Sequence, residues 1–383
     1  MGIEKQGRIE SLDSLRGIAA MTVVFSHLNL DYLHLDKVAP LINQSFLHVF
    51  YDGEAAVIFF FVLSGFVLSS KYFSKDEFQK LFYGPYIVSR VFRIYPVLWF
   101  VILLTAILGL NLPHTFHTIP MREWTIYWWG DKFNLSSLLT QMYLISNDPV
   151  TGNYYIPQAW TLKIEIIVSA LVPILIVITR HRTSWLVIFN IFSLAFLNAS
   201  VFIMHFSMGV LLAKYLPDIS RYISAKSSRY KMSAFFIGVL LYSYRYSVAA
   251  FFQHKGFWGD FFGGDFGIGI DFIIGVGVLL IIISVIHSVR IARILNKSLM
   301  LLIGKISYSL YLSHLIIFVM FTPLFILGLN KIGITNSLVI IPLTIIFTTI
   351  GAIGLAYLLY NSIEVWSIRS GRMVSEWLKT RIG

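Results

Sequence analysis

Long apolar stretches, each about as long as a membrane is thick, constrain this 383-residue chain more than any other feature. An α-helix needs about 20 mostly apolar residues to cross the hydrocarbon core. Between charged or Pro/Gly-rich breaks we place ten such stretches, at about 13–30, 54–70, 93–111, 160–179, 184–200, 200–216, 232–250, 266–288, 301–328 and 336–362. Residues 184–216 fit either one long span or two short ones. The sequence predicts an all-α, polytopic membrane protein with about ten transmembrane helices.

Composition and charge agree with this class. Only 13% of the residues are charged, against about 25% in soluble domains. Most of the 30 lysine and arginine residues fall in alternate loops, which the positive-inside rule makes cytoplasmic together with both termini. The net charge of +11 therefore predicts an orientation in the membrane, and we expect no nucleic-acid partner.

Other parts of the sequence limit the chemistry and the domain organisation. The absence of cysteine excludes disulfides, thiolate metal ligands and a thiol nucleophile, and His114 and His117 alone do not predict a metal site. The polar start, without a small-residue cleavage site, predicts that the first span remains as an anchor. We divide the chain into a membrane domain, 1–366, and a cytoplasmic tail, 367–383, which suits an interfacial helix.

The longest loop predicted outside the cytoplasm, about 111–158, is rich in aromatic residues. They include Trp124, Tyr127, Trp128, Trp129, Tyr154 and Tyr155. Two interpretations remain open: a platform that covers the sugar faces of an acceptor, or an aromatic belt at the membrane surface.

Arg16 and His27 are ionisable residues of the first span. Eleven residues advance a helix by about 16 Å and return to nearly the same direction, so both lie on one face. Ionisable residues in spans normally face the bundle interior or a wet cavity. A snorkelling arginine and an interhelical hydrogen bond of the histidine are the alternatives to a functional role.

Further polar residues lie in or beside later spans. Arg90 and Arg93 share a helix face and suit phosphate oxygens, although basic residues are ordinary at cytoplasmic helix ends. Glu165 lies about one and a half turns into the fourth span and needs a partner or a proton. The stretch 307–314 carries hydroxyls and a second histidine, with structural hydrogen bonding as the alternative role. Glu364 most simply pairs with an arginine.

Six motifs occur in order between about residues 8 and 370. They are Leu12-Asp-Ser-Leu-Arg-Gly-Ile-Ala-Ala20 with His27, Phe59-Phe-Phe-Val-Leu-Ser-Gly-Phe66, Arg90-Val-Phe-Arg-Ile-Tyr-Pro96, Trp160-Thr-Leu-Lys-Ile-Glu165, Ile306-Ser-Tyr-Ser-Leu-Tyr-Leu-Ser-His314 and Glu364. Together they resemble the motifs of acyltransferase family 3, which includes bacterial O-antigen and exopolysaccharide O-acetyltransferases. The sequence departs at Val365-Trp366, where many relatives have proline after the glutamate. It shows no segment like the esterase-like domain of some relatives, so we expect every catalytic group in the membrane domain.

This resemblance implies a multi-pass protein of the bacterial cytoplasmic (inner) membrane, in contact with its lipids. The family transfers an acyl group, usually acetyl, from cytoplasmic acyl-coenzyme A to a hydroxyl of an extracytoplasmic glycan or glycolipid. Acyl-coenzyme A is then a co-substrate, with no tightly bound cofactor. The resemblance ties Arg16 and His27 to donor handling and catalysis, and Arg90 and Arg93 to the donor. Supporting residues from the same motifs are Asp13, Ser64, Tyr95, Trp160, Tyr308, Ser309, His314 and Glu364.

Joined to the residue analysis, the resemblance predicts a mechanism. The donor phosphates stay at the cytoplasmic mouth with Arg90, Arg93 and Arg16, because they cannot enter hydrocarbon. The pantetheine arm reaches inward to His27, which takes the proton of the acceptor hydroxyl. An acyl-histidine intermediate is the alternative.

The remaining motif residues receive auxiliary roles in this mechanism. Glu165 is expected to orient His27 or to hold the acceptor, and it is grouped with His27 as catalytic. Tyr308, Ser309 and His314 are candidates to polarise the thioester oxygen.

Two other classes of function were weighed. In a proton-coupled transporter or flippase of a sugar or lipid, Arg16, His27 and Glu165 would form a relay. The inverted repeats and matching broken helices common in such transporters are not evident in this sequence. A structural or sensing protein leaves the ionisable residues of the spans without a reason.

Overall fold

The computed structural model describes residues 9–29, 32, 40–111, 135–144, 155–196, 200–248 and 267–382. Nearly all of these residues are helical, and none of them lies in a strand. The longer helices are α1 (Glu10–Leu28), α2 (Gly53–Ser69), α3 (Tyr83–Asn111), α4 (Ala159–His181), α5 (Thr183–Phe196), α6 (Ser200–Ser224), α7 (Ser228–Tyr242), α8 (Ile268–His287), α9 (Ser298–Ile316), α10 (Ser337–Leu359) and α11 (Val365–Ile382).

Each of the ten predicted spans overlaps one of the helices α1 to α10, although the span predicted at 301–328 runs beyond α9 through Ile317–Phe321 into a further helix, Thr322–Lys331. Within the described ranges, six helical segments are long and apolar enough by themselves to cross a membrane, which supports a multi-pass membrane protein. Residues 184–196 and 200–216 belong to two helices, α5 and α6, which pack against each other. The aromatic residues 124–129 and Tyr154, and also His114 and His117, lie outside the described residues.

The helices define two ends of the bundle. Helices α1, α3 and α9 begin, and α2, α4 and α8 end, at one end, which we call the basic end because Lys71, Arg90, Arg180 and Lys305 lie there. We call the other end the opposite end. Helix α1 packs against α9 and α2, α6 against α2, and α7 against α8. Buried apolar side chains from these helices form the core between them.

Glycine allows the central helices to approach closely. Gly17 of α1 faces Gly304 of α9, and a Cβ atom on Gly17 would lie 2.6 Å from the backbone nitrogen of Gly304. Gly65 of α2 lies against α6, where a Cβ atom would come within 2.1 Å of the carbonyl oxygen of Phe206. Small residues at such crossings favour packing in membranes, where lipid tails compete for every apolar contact.

The outward faces of the helices are apolar. Ile107, Ile191, Ile350 and Leu358 are each at least 58% exposed on α3, α5 and α10. In a soluble protein such a surface would aggregate, whereas in a bilayer it contacts acyl chains.

An ion-pair network stabilises the opposite end. Arg245, which follows α7, contacts Glu54 of α2 at 3.1 Å and Asp271 of α8 at 2.8 Å. Asp52 begins α2 by accepting a hydrogen bond from the backbone N–H of Ala55 at 2.9 Å. Burial raises the pKa of the Asp52 carboxyl to about 7, so it is largely protonated below neutral pH. These contacts join α2, α8 and the residues that follow α7 at the opposite end of the bundle.

The C-terminal segment continues the last predicted span. A π-helical turn, Tyr360–Glu364, links α10 to α11, so the expected domain boundary at 366 lies inside one helical run. Helix α11 packs along α3, and Ser375 Oγ donates a hydrogen bond to the carbonyl oxygen of Pro85 at 2.9 Å. This packing brings Glu364 next to α3.

We predict that Gly65→Ala destabilises the protein far more than Gly354→Ala. The added methyl at Gly65 forces two backbones apart, at a cost of about 1–3 kcal/mol, whereas Gly354 has open space around its Cβ position. Melting temperatures measured in one detergent would check this. Equal melting temperatures for the two variants would contradict the α2–α6 crossing.

Candidate active site

A large cavity opens at the basic end and reaches deep between the helices. Its volume is about 1410 Å³, and it lies between α1, α2, α3, α4, α6, α9 and α11. Side chains at its mouth include Glu77 and Lys80, in the loop between α2 and α3. Its deepest described residues, Val57 and Thr161, lie about one turn from the opposite-end starts of α2 and α4. The cavity therefore extends across most of the bundle.

Two arginine–glutamate pairs lie in the cavity wall. Arg90 Nη2 of α3 lies 2.7 Å from Glu165 Oε1 of α4. Arg93 Nη1 lies 2.5 Å from Glu364 Oε1, and Ser309 Oγ donates to Glu364 Oε2 at 2.6 Å. Glu364 is completely buried, whereas the side chain of Glu165 is 24% exposed. Charges in a membrane interior need such partners, and these pairs join α3 to α4 and to the end of α10.

The cavity lining carries more cations than carboxylates. It includes nine lysine or arginine and five aspartate or glutamate side chains. Within the described part of the chain, five of the cations form no ion pair. They are Lys71, Lys214, Lys305, Arg372 and Lys379. The cavity therefore suits an anionic ligand, bound near the basic end.

A pair of histidines lies beyond the cavity. His27 of α1 and His314 of α9 have ring centroids 5.0 Å apart, and His314 Nε2 lies 3.1 Å from His27 Nδ1. His314 is fully buried, whereas His27 is partly exposed. Helix α9 changes to a π-helical turn, Ile317–Phe321, just after His314. Such turns often mark functional sites, because they widen a helix locally.

The contacts of the two rings assign their neutral tautomers. His314 Nδ1 lies 3.1 Å from the carbonyl oxygen of Leu310, which can only accept, so this nitrogen carries the proton. His314 Nε2 is then an acceptor, and His27 Nδ1 donates to it. Nδ1 of His27 also lies 3.0 Å from the carbonyl oxygen of Val23. This arrangement leaves the basic lone pair of His27 on Nε2, which is suited to accept a proton from a substrate.

Tyr311 separates the cavity from the histidines. No residue of α1 after Arg16, and none of α9 after Tyr311, lines the cavity in the described structure. The Tyr311 ring centroid is 6.4 Å from that of His314, and its hydroxyl oxygen lies 2.7 Å from Thr161 Oγ1. Within the described residues the cavity therefore stops short of His27, whereas the mechanism predicted from the sequence brings the pantetheine arm to it.

The other predicted site residues fall into two groups. Asp13, Ser64 and Tyr308 line the cavity; Asp13 pairs with Arg16 at 3.2 Å, and the Tyr308 hydroxyl donates to the carbonyl oxygen of Ile94. Tyr95 and Trp160 do not line it. The Tyr95 ring lies 5.5 Å from that of Trp99, and the Trp160 ring lies 5.8 Å from that of Phe202. These two side chains have packing contacts outside the cavity.

The comparisons with known proteins give one match. The family model described as an acyltransferase domain covers residues 9–360. The chain belongs to acyltransferase family 3. No curated protein and no solved structure matches it.

In this acyltransferase three predicted site residues have protein partners that the sequence analysis did not assign to them. We expected Arg90 and Arg93 to meet donor phosphates, which stays a prediction; here both guanidinium groups bind carboxylates, which offer the same fork of oxygens as a phosphate. We expected Glu165 to orient His27 or to hold the acceptor. Its hydrogen bond goes to Arg90 and His314 contacts His27, so the first of these roles is not seen, and the second stays a prediction. The expected pairing of Glu364 with an arginine is confirmed.

The acyltransferase site also contains residues that the sequence analysis did not single out. Lys305 and Lys379 belong to ordinary basic helix ends, where nothing in the pattern marks a ligand. Thr161 and Tyr311 stand inside quoted motifs, but only the fold shows that α4 and α9 bring their hydroxyl groups together.

We predict that Arg93→Met destabilises this acyltransferase more than Arg90→Met. Removing Arg93 leaves the fully buried Glu364 without its cation, at a cost of about 3–5 kcal/mol, whereas Glu165 is partly exposed. Adding Glu364→Gln to Arg93→Met should restore part of the melting temperature. A double variant no more stable than Arg93→Met would show that the buried charge is not the cause.

Proposed function

We propose that this protein transfers an acyl group, most simply acetyl, from cytoplasmic acyl-coenzyme A to a hydroxyl of an extracytoplasmic glycan or glycolipid. The family supports acyl transfer in general. The observation that carries the donor assignment is the cavity, which opens among unpaired cations and ends one ring away from a histidine pair. In this proposal the basic end faces the cytoplasm of a bacterial inner membrane.

The donor binds with its charged part at the mouth of the cavity. Coenzyme A phosphates cannot enter hydrocarbon, and Lys71, Lys305 and Lys379 offer unpaired ammonium groups there. Arg90 and Arg93, already paired with carboxylates, lie deeper and flank the narrow pantetheine arm. The arm then brings the thioester to Tyr311, whose ring has to turn aside before the carbonyl carbon can meet an acceptor at His27.

His27 acts as the general base. Its Nε2 takes the proton of the acceptor hydroxyl as the oxygen attacks the thioester carbonyl carbon. The carbon–sulfur bond then breaks, and the imidazolium returns the proton to the thiolate of coenzyme A. His314 accepts the Nδ1–H hydrogen bond of His27 throughout, which fixes the tautomer and stabilises the transient positive charge.

The acceptor approaches from the opposite end of the bundle. His27 lies one residue before the end of α1 at that end, and its side chain is partly exposed. The cavity lies on the other side of Tyr311. This placement supports a donor and an acceptor that arrive from different faces of the membrane.

We predict that His27→Ala abolishes transfer while the protein stays folded. Both direct transfer and an acyl-histidine intermediate need this imidazole, so the loss should be at least about 100-fold. Release of free coenzyme A can be followed with a thiol reagent, because the protein contributes no cysteine to the signal. Purified protein, acetyl-coenzyme A and a glycolipid extract form the assay.

His205→Gln serves as the control, because His205 is buried near Asp271, away from the cavity lining. It should retain activity. Full activity of His27→Ala would exclude His27 as the base, and no thiol release by the wild-type protein would exclude the donor.

We predict that Lys305→Gln and Lys379→Gln each raise the KM for acetyl-coenzyme A about 5-fold, with kcat nearly unchanged. Each removes one partly exposed charge that attracts the phosphates. Lys297→Gln is the matched control, because Lys297 lies at the same end but does not line the cavity. A KM that rises equally in the control would contradict a local phosphate site.

A further inference from the structure

The deep end of the cavity is formed by a small set of packed side chains. Val57 and Phe60 come from α2, Thr161 and Leu162 from α4, and Tyr311 from α9. We call these five residues the end wall. Leu162 is 2% exposed and Tyr311 8% exposed, so the wall is well packed.

Hydrogen bonds fix the position of the Tyr311 ring. Thr161 Oγ1 donates its single proton to the carbonyl oxygen of Gln158 at 2.8 Å, so the Tyr311 hydroxyl must donate to Thr161 Oγ1 at 2.7 Å. Gln158 also donates from Nε2 to the carbonyl oxygens of Tyr311 and Leu312. The start of α4 is thereby tied to α9 at both the backbone and the side chain of Tyr311.

The ring is also held from its other sides. Phe60 meets it edge to face, with centroids 5.7 Å apart, and His314 lies behind it at 6.4 Å. The space beyond Tyr311 is therefore already filled by the histidine pair. With the ring in this position, a group that enters the cavity from the basic end meets the phenol and does not reach the histidines.

We propose that Tyr311 determines which acyl groups this enzyme accepts, because its ring ends the donor cavity and leaves room only for a short chain. This inference rests on the proposed function. A thioester that reacts at His27 must lie next to Tyr311, since this ring is what separates the cavity from the histidines. Carbon atoms beyond the carbonyl of a longer acyl group would have to occupy the position of the ring.

In this proposal reaction at His27 requires the ring to turn aside, and its hydroxyl donates one hydrogen bond that has to break for this. Rotation away from Thr161 breaks that bond, worth about 1 kcal/mol, and opens the cavity to His314. The size of the Tyr311 ring and the hydrogen bond of its hydroxyl can be tested separately. Tyr311→Phe keeps the ring and removes the bond, whereas Tyr311→Ala removes the ring.

The experiment measures kcat/KM for acetyl-, butyryl- and hexanoyl-coenzyme A with the full-length protein, by thiol release with one glycolipid extract. The wild-type protein should prefer acetyl. In Tyr311→Ala the hexanoyl-to-acetyl ratio should rise at least about 10-fold, the discrimination that a methylene or two commonly gives in a closed apolar pocket. Tyr311→Leu should show a smaller rise, and it replaces Tyr311→Ala if that variant does not fold.

Two control variants separate the effect of the Tyr311 ring size from general damage to the protein. Tyr311→Phe should keep the wild-type chain-length ratio, even if kcat changes. Phe82→Ala removes an aromatic ring from the cavity lining near the basic end and should also leave the ratio unchanged.

An unchanged ratio in folded Tyr311→Ala or Tyr311→Leu would overturn the inference, as would an equal shift in Tyr311→Phe or a wild-type preference for hexanoyl. These outcomes leave the proposed acyl transfer from acyl-coenzyme A intact, because thiol release still occurs. Absence of thiol release from every thioester with the wild-type protein would instead overturn the proposed function, and this inference with it.

Discussion

The cost of an unpaired charge within a membrane governs the architecture of this protein. Glu364 is completely buried, yet Arg93 and Ser309 satisfy its carboxylate, and Glu165 is held by Arg90. These contacts connect α3 to α4, α9 and the end of α10, the helices around the cavity. The same cost explains the remaining cations: an ammonium group without a carboxylate is tolerated at the watery mouth and attracts anionic ligands there.

Much of the fold followed from the sequence, because length and hydropathy alone define a membrane-crossing helix. Each predicted span overlaps a helix, and the shared face of Arg16 and His27 follows from helix geometry. The partners of the ionisable side chains were harder to predict, since they depend on which helices become neighbours. His314 is 287 residues from His27 along the chain, and no local pattern identifies their contact or directs Glu165 to Arg90 instead.

Residues at different depths of the cavity have different proposed roles. Unpaired lysines at the basic end suit the charged part of a donor, paired arginines form the walls, and the histidines lie beyond Tyr311. Gly17 and Gly304 let α1 and α9 approach closely enough for the two imidazole rings to meet. Packing between these two helices is therefore a requirement of the chemistry as well as of stability.

The central claim is that the cavity at the basic end holds an acyl-coenzyme A with its acyl group against Tyr311. A cryo-EM structure of the full-length protein with a non-hydrolysable acetyl-coenzyme A analogue tests it most directly. The account predicts density for the phosphates near Lys305 and Lys379, and for the acetyl group beside Tyr311 and Thr161. Density for the analogue at the opposite end, or outside this cavity, would contradict it.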